Sequence, residues 1–250
     1  MILIKLGGSI ITNKEKPLSP RKKTIDNLAK SLKKVDEPMV IVHGGGSYGH
    51  YWSVKYDMHT KPKKYDKRGV SIIKNSMIEL NKIILDLFLK NRLNPYSLPP
   101  TDFMEGNKPI SKKVLEIEKI ARSGLTPITF GDALWYGQNK TYILSGDKIM
   151  THLSKILKPR LNIFALNEDG LYYDLKSKKL IYELKDEKPT ILENKMDVTG
   201  GMSRKVEEAT KISKNGMNVF FVNGNNPERI VKAVKNNKFE GTLFRGKRNV

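Results

Sequence analysis

Four short stretches of this 250-residue chain hold residues whose types and spacing can do chemistry. KLGGS, Lys5 to Ser9, closes the first apolar run, and HGGGSYGH, His43 to His50, closes the second. Glycine suits strand and helix interiors poorly, but it lets a backbone turn tightly and bring its N–H groups against a ligand. Three consecutive glycines pack no side chains and lose much entropy on folding, so Gly44, Gly45 and Gly46 are expected where amides approach something closely. Two such turns suggest an anion held between them. SGD at Ser145 to Asp147 and DVTGGMSRK at Asp197 to Lys205 each lead into a helical pattern. Lys205 is expected in the first turn of its helix, where it opposes the helix dipole, a local cost that a structural role would not favour. Asp147 at a helix start has a plainer alternative, that of an N-terminal charge. Neither the phosphate loop ending in Gly-Lys-Ser/Thr nor the spaced glycines of a dinucleotide fingerprint occurs.

The elements that must position these residues alternate along the chain. Ile2 to Leu6 and Met39 to Val42 are short and continuously apolar, which reads as buried strand. Between them Ser19-Pro20 offers a cap with proline at the first helical position, ahead of Ile25, Leu28, Ala29 and Leu32 at helical spacing. Val70 to Asn91 carries Ile73, Met77, Leu80, Ile84, Leu87 and Phe88 on one helical face. Short strands are expected near Tyr96 to Leu98 and Thr126 to Phe130. In the second half, Lys148 to Leu157 and Ser203 to Lys214 read as helices and Leu161 to Leu166 and Asn218 to Val222 as strands. Asn226-Pro227 caps a helix bearing Ile230, Val231 and Val234. The alternation predicts an α/β fold with an open, mostly parallel central sheet sandwiched between helices in three layers. Ligands of such sheets lie beyond the carboxyl ends of the strands, where the glycine turns fall. Leu180 to Lys195 is the most linker-like stretch.

Bulk properties narrow the classes. The formal charge is +20, but the lysines are scattered as pairs such as Lys22-Lys23 and Lys112-Lys113, and only KPKKYDKR, Lys61 to Arg68, forms a dense basic block. No zinc-finger, helix-turn-helix or RNA-binding aromatic signature accompanies it, so the charge reads as a lysine-rich solvated surface that also draws in small anions, and nucleic acid is not an expected partner. With no cysteine there is neither disulfide nor thiolate metal site. No apolar run approaches the roughly 18 residues of a membrane span, and the N-terminus suggests neither signal peptide nor anchor, so no membrane association and a cytoplasmic location are expected.

KLGGS, HGGGS, GD before a helix, a strand ending in a DG turn and TGGMxxK, taken together and in order, resemble the amino acid kinase family over nearly the whole chain. Lys14, the second histidine of HGGGSYGH, the late VNGNNPERI and the closing GTLF resemble the branch of that family whose acceptor is isopentenyl phosphate. The resemblance implies ATP-dependent transfer of a phosphoryl group onto that acceptor, giving isopentenyl diphosphate and ADP. Such transfer needs alignment of donor and acceptor and positive charge over the moving oxygens. By this likeness Lys5, Lys14 and Lys205 supply the charge, Asp147 orients Lys5 and Lys205 by ion pairing, and His50 donates a hydrogen bond to the acceptor phosphate. Gly8, Ser9, Asp169, Gly170 and Gly201 join Lys5 and Lys205 in holding ATP, while Gly44, Gly45, Gly46 and Gly146 join His50 on the acceptor side. Residues 1–160 are then the acceptor lobe and residues 161–250 the ATP lobe, sharing one continuous sheet. Mg2+ is expected with ATP, held by phosphates and water rather than by a cage of side chains, and a homodimer is expected because relatives are commonly dimers.

Within the same likeness, Ile73, Met77, Leu80 and Ile84, with Tyr48, Trp52 and Tyr56, are candidates for the wall of a pocket for the isoprenoid tail. His43 is expected to be structural, packed under the loop, and His59 and His152 carry no interpretable signal. Where many relatives read T-D-V-D-G, this chain has Leu166, Asn167, Glu168, Asp169 and Gly170, a lost charge that bears on nucleotide affinity. Two alternatives stand beside the reading: a kinase for fosfomycin or another small molecule of the same family, and a nucleotide-binding sensor without catalysis.

Overall fold

The computed structural model describes residues 1–173, 177, 179–184, 200–235 and 240–246. Its strands are β1 (Ile2–Leu6), β2 (Met39–His43), β3 (Lys63–Lys64), β4 (Pro95–Ser97), β5 (Met104–Glu105), β6 (Lys108–Pro109), β7 (Thr126–Phe130) and β8 (Asp132–Gly137). After these come β9 (Lys140–Leu144), β10 (Leu161–Leu166), β11 (Leu171–Tyr172), β12 (Leu180–Ile181), β13 (Glu183–Leu184), β14 (Val219–Asn223) and β15 (Gly241–Phe244). The helices are α1 (Gly8–Ile11), α2 (Lys22–Leu32), α3 (Gly46–Lys55), α4 (Lys67–Lys90), α5 (Ser111–Arg122), α6 (Gly146–Leu157), α7 (Gly200–Lys214) and α8 (Glu228–Val234). Eight strands form the central sheet in the order β13-β15-β14-β10-β1-β2-β7-β4, with every neighbouring pair parallel except β14 and β15.

Strand alternation divides the core in two. Ile2, Ile4 and Leu6 of β1, with Ile41 of β2 and Ile163 of β10, pack under Ile25 and Leu28 of α2, Ile84 of α4 and Ile230 of α8. Leu3, Val42 and Phe164 face the other way, onto Val114 of α5, Ile149 and Leu153 of α6 and Ile212 of α7. The three-layer α/β/α expectation is thus met. The chain runs from β1 outward through β2 to β7 and then returns to the opposite side of β1 as β10, so the strand order reverses at β1 and leaves a crevice at its carboxyl end.

Several local expectations need correction. The first long helix begins at Lys22 after Arg21, not at Pro20, because Pro20 is drawn into a β-bridge with Thr12. The helix expected from Val70 starts at Lys67, where Asp66 caps it by accepting from Gly69 N at 2.5 Å. The helix expected from Lys148 starts at Gly146, with Ser145 Oγ accepting from Lys148 N at 3.2 Å. The helix expected from Ser203 starts at Gly200, so Lys205 stands in its second turn and the dipole cost disappears. Leu180–Ile181 and Glu183–Leu184 within the expected linker are strands, while residues 185–195 and Asp197 to Thr199 of DVTGG lie outside the described residues. Helices α1, α3 and α5 and the β8–β9 hairpin were not expected. Among the described residues no helix is long and apolar enough to cross a membrane.

Candidate active site

Lys5 sits one residue from the end of β1 on the face of Leu3, so its side chain emerges toward α6. Its ammonium is almost fully buried and meets Asp147 Oδ1 at 3.0 Å. Asp147 is held there by the Ser145 cap and by the first turn of α6. Lys205 reaches the same place from α7, its Nζ donating to Gly201 O at 2.8 Å, and Thr151 Oγ1 fastens α7 to α6 by donating to Glu208 at 2.5 Å.

The electrostatics bind these groups together. Burial by itself would raise the Asp147 carboxyl, but the ammonium of Lys5, then those of Lys205 and Arg204, hold it below its ordinary value. Burial brings Lys205 down to about 8; Asp147 opposes the fall, while Lys5, Lys14 and Arg204 add to it. Three cations, Lys5, Lys205 and Arg204, thus act on the Asp147 carboxylate, and Lys5, Lys14 and Arg204 all work against the charge on Lys205. That arrangement is costly unless anions complete it.

The glycine turns border the same space. Gly44 N is spent on Leu6 O at 3.0 Å, but the amides of Gly8, Ser9, Gly45 and Gly46 have no hydrogen-bond partner among the described residues. They open on a cleft of about 680 Å³ that Lys5, Lys14, His50, Gly146, Asp147, Gly201, Arg204 and Lys205 also line. Unpaired amides beside cations make a receptor for phosphate-like anions.

The cleft also has an apolar part to its lining. Ile73 and Met77 of α4, Val54, Met58 and Ile143 supply it. Leu80 and Ile84, expected in the wall, are fully buried in the core between α4 and the sheet, and Tyr48 is buried beneath α3. Trp52 and Tyr56 stack on each other without lining the cleft. Asp132 does line it, and burial pushes its carboxyl up although Lys74 Nζ at 2.5 Å and the Ala133 amide pull it down.

Asp169 and Gly170 do not border this cleft. They lie past the end of β10, where Asp169 accepts from Asn223 Nδ2 at 3.0 Å and from Arg229, which also pairs with Glu240. Asn167 accepts from Asn225 Nδ2 at 3.0 Å. A Cβ on Gly170 would overlap Thr242 of β15. His43 is buried against Phe130, with ring centroids 5.2 Å apart, and burial pushes it down to about 4, as a structural histidine requires. His59 pairs with Asp57, which lines the cleft, and His152 is half-buried on α6. Arg204, Thr12 and the Lys74–Asp132 pair were missed in the sequence; only Arg204, beside Lys205, carried a signal there.

A fold with glycine turns at the switch point of a mostly parallel sheet, and with lysines reaching them from a strand, a loop and a helix, is that of a small-molecule phosphotransferase. The chain belongs to the amino acid kinase family, whose model matches residues 1–223. Isopentenyl phosphate kinase of Thermoplasma acidophilum is 31% identical, the match covering 98% of this chain and 100% of the relative. That of Methanocaldococcus jannaschii is 29% identical over 97% of each. A crystal structure of the T. acidophilum isopentenyl phosphate kinase product complex superposes with a TM-score of 0.81 at 27% identity, covering 98% of this chain and 100% of the other.

Proposed function

We propose that this chain transfers the γ-phosphoryl group of ATP to isopentenyl phosphate. A phosphate oxygen of the acceptor bonds to the γ-phosphorus as the bond from that phosphorus to the β,γ-bridging oxygen breaks, giving isopentenyl diphosphate and ADP. The acceptor oxygen is already anionic, so no general base is required, and Asp147 serves to hold Lys5 and Lys205 in place. Lys5, Lys205 and the amides of Gly8 and Ser9 take the donor phosphates, Lys14 and the amides of Gly45 and Gly46 lie along the transfer path, and His50 donates to the acceptor phosphate. The Ile73–Met77 part of the lining takes the isoprenoid tail. Residues 1–160 thus receive the acceptor and residues 161–250 the nucleotide, with Asp169 and Gly170 shaping its outer end.

The observation that carries this reading is the convergence, on one cleft with Ile73 and Met77 in its lining, of Lys5, Lys14 and Lys205 with four amides that have no partner among the described residues. The names borne by the curated relatives support the choice of acceptor. Mg2+ is taken to accompany ATP, bound through the nucleotide's phosphates and water as this ion commonly is. Family likeness also supports a homodimer, which sedimentation velocity tests.

A coupled assay of ADP release with isopentenyl phosphate and fosfomycin side by side tests the reading. Turnover of isopentenyl phosphate is expected; turnover of fosfomycin alone, or of neither, would reject it.

A further inference from the structure

Thr12 lines no part of the cleft, yet it joins the pieces that make it. It ends α1 and is almost wholly buried. Its hydroxyl donates to Gly8 O at 2.7 Å and accepts from Ser47 N at 2.9 Å. One proton and one lone pair are therefore spent, each on a different glycine turn.

The fit is close on both sides. A Cβ at Gly8 would overlap the backbone of Gly46, and a Cβ at Gly46 would overlap Thr12 Oγ1. Gly46 also has φ of +49°, so its conformation and the space taken by the hydroxyl both call for glycine. The loop carrying Lys14 starts from the same residue. Thr12 bridges Pro20, Asn13 N donates to Ser19 O at 2.8 Å, and Ser19 N donates to Ser47 Oγ at 3.2 Å.

We propose that Thr12 is a positioning residue for phosphoryl transfer: its hydroxyl sets the separation of the two glycine turns and anchors the Lys14 loop to them. The inference rests on the kinase reading. Without the hydroxyl, the buried Ser47 amide loses its acceptor, and the turns shift to find another partner. Rates of transfer fall steeply when the two reacting groups are displaced by even an ångström.

The test compares Thr12→Val, which keeps the shape and loses the hydroxyl, with Thr12→Ser, which keeps the hydroxyl. Steady-state kcat and both KM values are measured with ATP and isopentenyl phosphate. Thr12→Val is expected to lower kcat roughly 10- to 100-fold with the KM for ATP changed less than about threefold, and Thr12→Ser to restore most of the rate. On a Lys14→Met background the loss from Thr12→Val is expected to shrink, because part of it acts through Lys14. Should the valine variant fail to fold by circular dichroism, Thr12→Ala, which leaves room for a water, takes its place with the same expectations. An unchanged kcat, a serine variant as slow as the valine one, or full additivity with Lys14→Met would overturn the inference while leaving an active wild type. A wild type inert toward isopentenyl phosphate would overturn the kinase reading and this inference with it.

Discussion

The carboxyl end of β1 and the carboxyl end of β10 lie side by side in one sheet and treat their polar groups in opposite ways. Around β10 Asp169, Arg229 and Asn167 are answered from within: Asp169 is met by Asn223 and Arg229, Arg229 by Glu240 and Asn167 by Asn225. Around β1 four amides have no partner among the described residues, Lys5, Lys205 and Arg204 act on the carboxylate of Asp147, and Lys14 adds to the repulsion on Lys205. The first region is satisfied as it stands. The second is complete only with anions in it, and its unspent donors are the physical mark of a site built for ligands rather than for stability.

Removing a cation from the unsatisfied region breaks the comparison most severely. Lys205→Met is expected to lower kcat about 1000-fold, the scale of a lost charge stabiliser, while the thermal midpoint stays level or rises because a buried cation is gone. A variant that is both active and less stable would contradict the assignment. Next in size, His50→Ala is expected to raise the KM for isopentenyl phosphate roughly 10- to 100-fold, with ATP binding by calorimetry nearly intact. An unchanged acceptor KM would show that this histidine has another task.

The proton on Lys205 sharpens the contrast. Its folded value of about 8 lies below the 10.5 of a free lysine, so between those two values the unfolded chain holds the proton more tightly. Stability should therefore rise with pH across that window, as the penalty for the buried charge is relieved. Activity should move the other way, since the charged form is the useful one: kcat/KM for ATP is expected to fall about tenfold per pH unit above 8. Lys205→Met should lose this limb of the profile.

The smallest effect belongs to the satisfied region. Asp169→Asn weakens the charge partner of Arg229 and is expected to cost about 1–2 kcal/mol in urea unfolding, with kcat within about twofold of wild type. A large loss of kcat with unchanged stability would place Asp169 in the transfer machinery instead.

Much of this division was legible in the residues. The apolar runs gave β1, β2, β7 and β10 closely, and KLGGS, HGGGS and GD marked turns that do meet at one cleft. Contacts between distant segments were not legible. Ser19-Pro20 carries an acceptable helix-start pattern, and only the bridge to Thr12 moves the start to Lys22. Gly200 and Gly201 read as turn, yet they extend α7 and shift Lys205 into its second turn. The stripe on α4 was correct as a helix face, but periodicity cannot say that Ile73 and Met77 border the cleft while Leu80 and Ile84 enter the core. Thr12 gave no signal, because its partner Ser47 lies 35 residues away.

The central claim is that two anions meet end to end between the turns of β1 and β2. A ternary complex with isopentenyl phosphate and a non-hydrolysable ATP analogue, solved by crystallography, measures this directly. The account predicts an acceptor oxygen beside His50 at roughly 3–3.5 Å from the γ-phosphorus, which is itself held by Lys5, Lys205 and the amides of Gly8 and Ser9. An acceptor phosphate bound elsewhere, with the two phosphates separated by side chains, would contradict it.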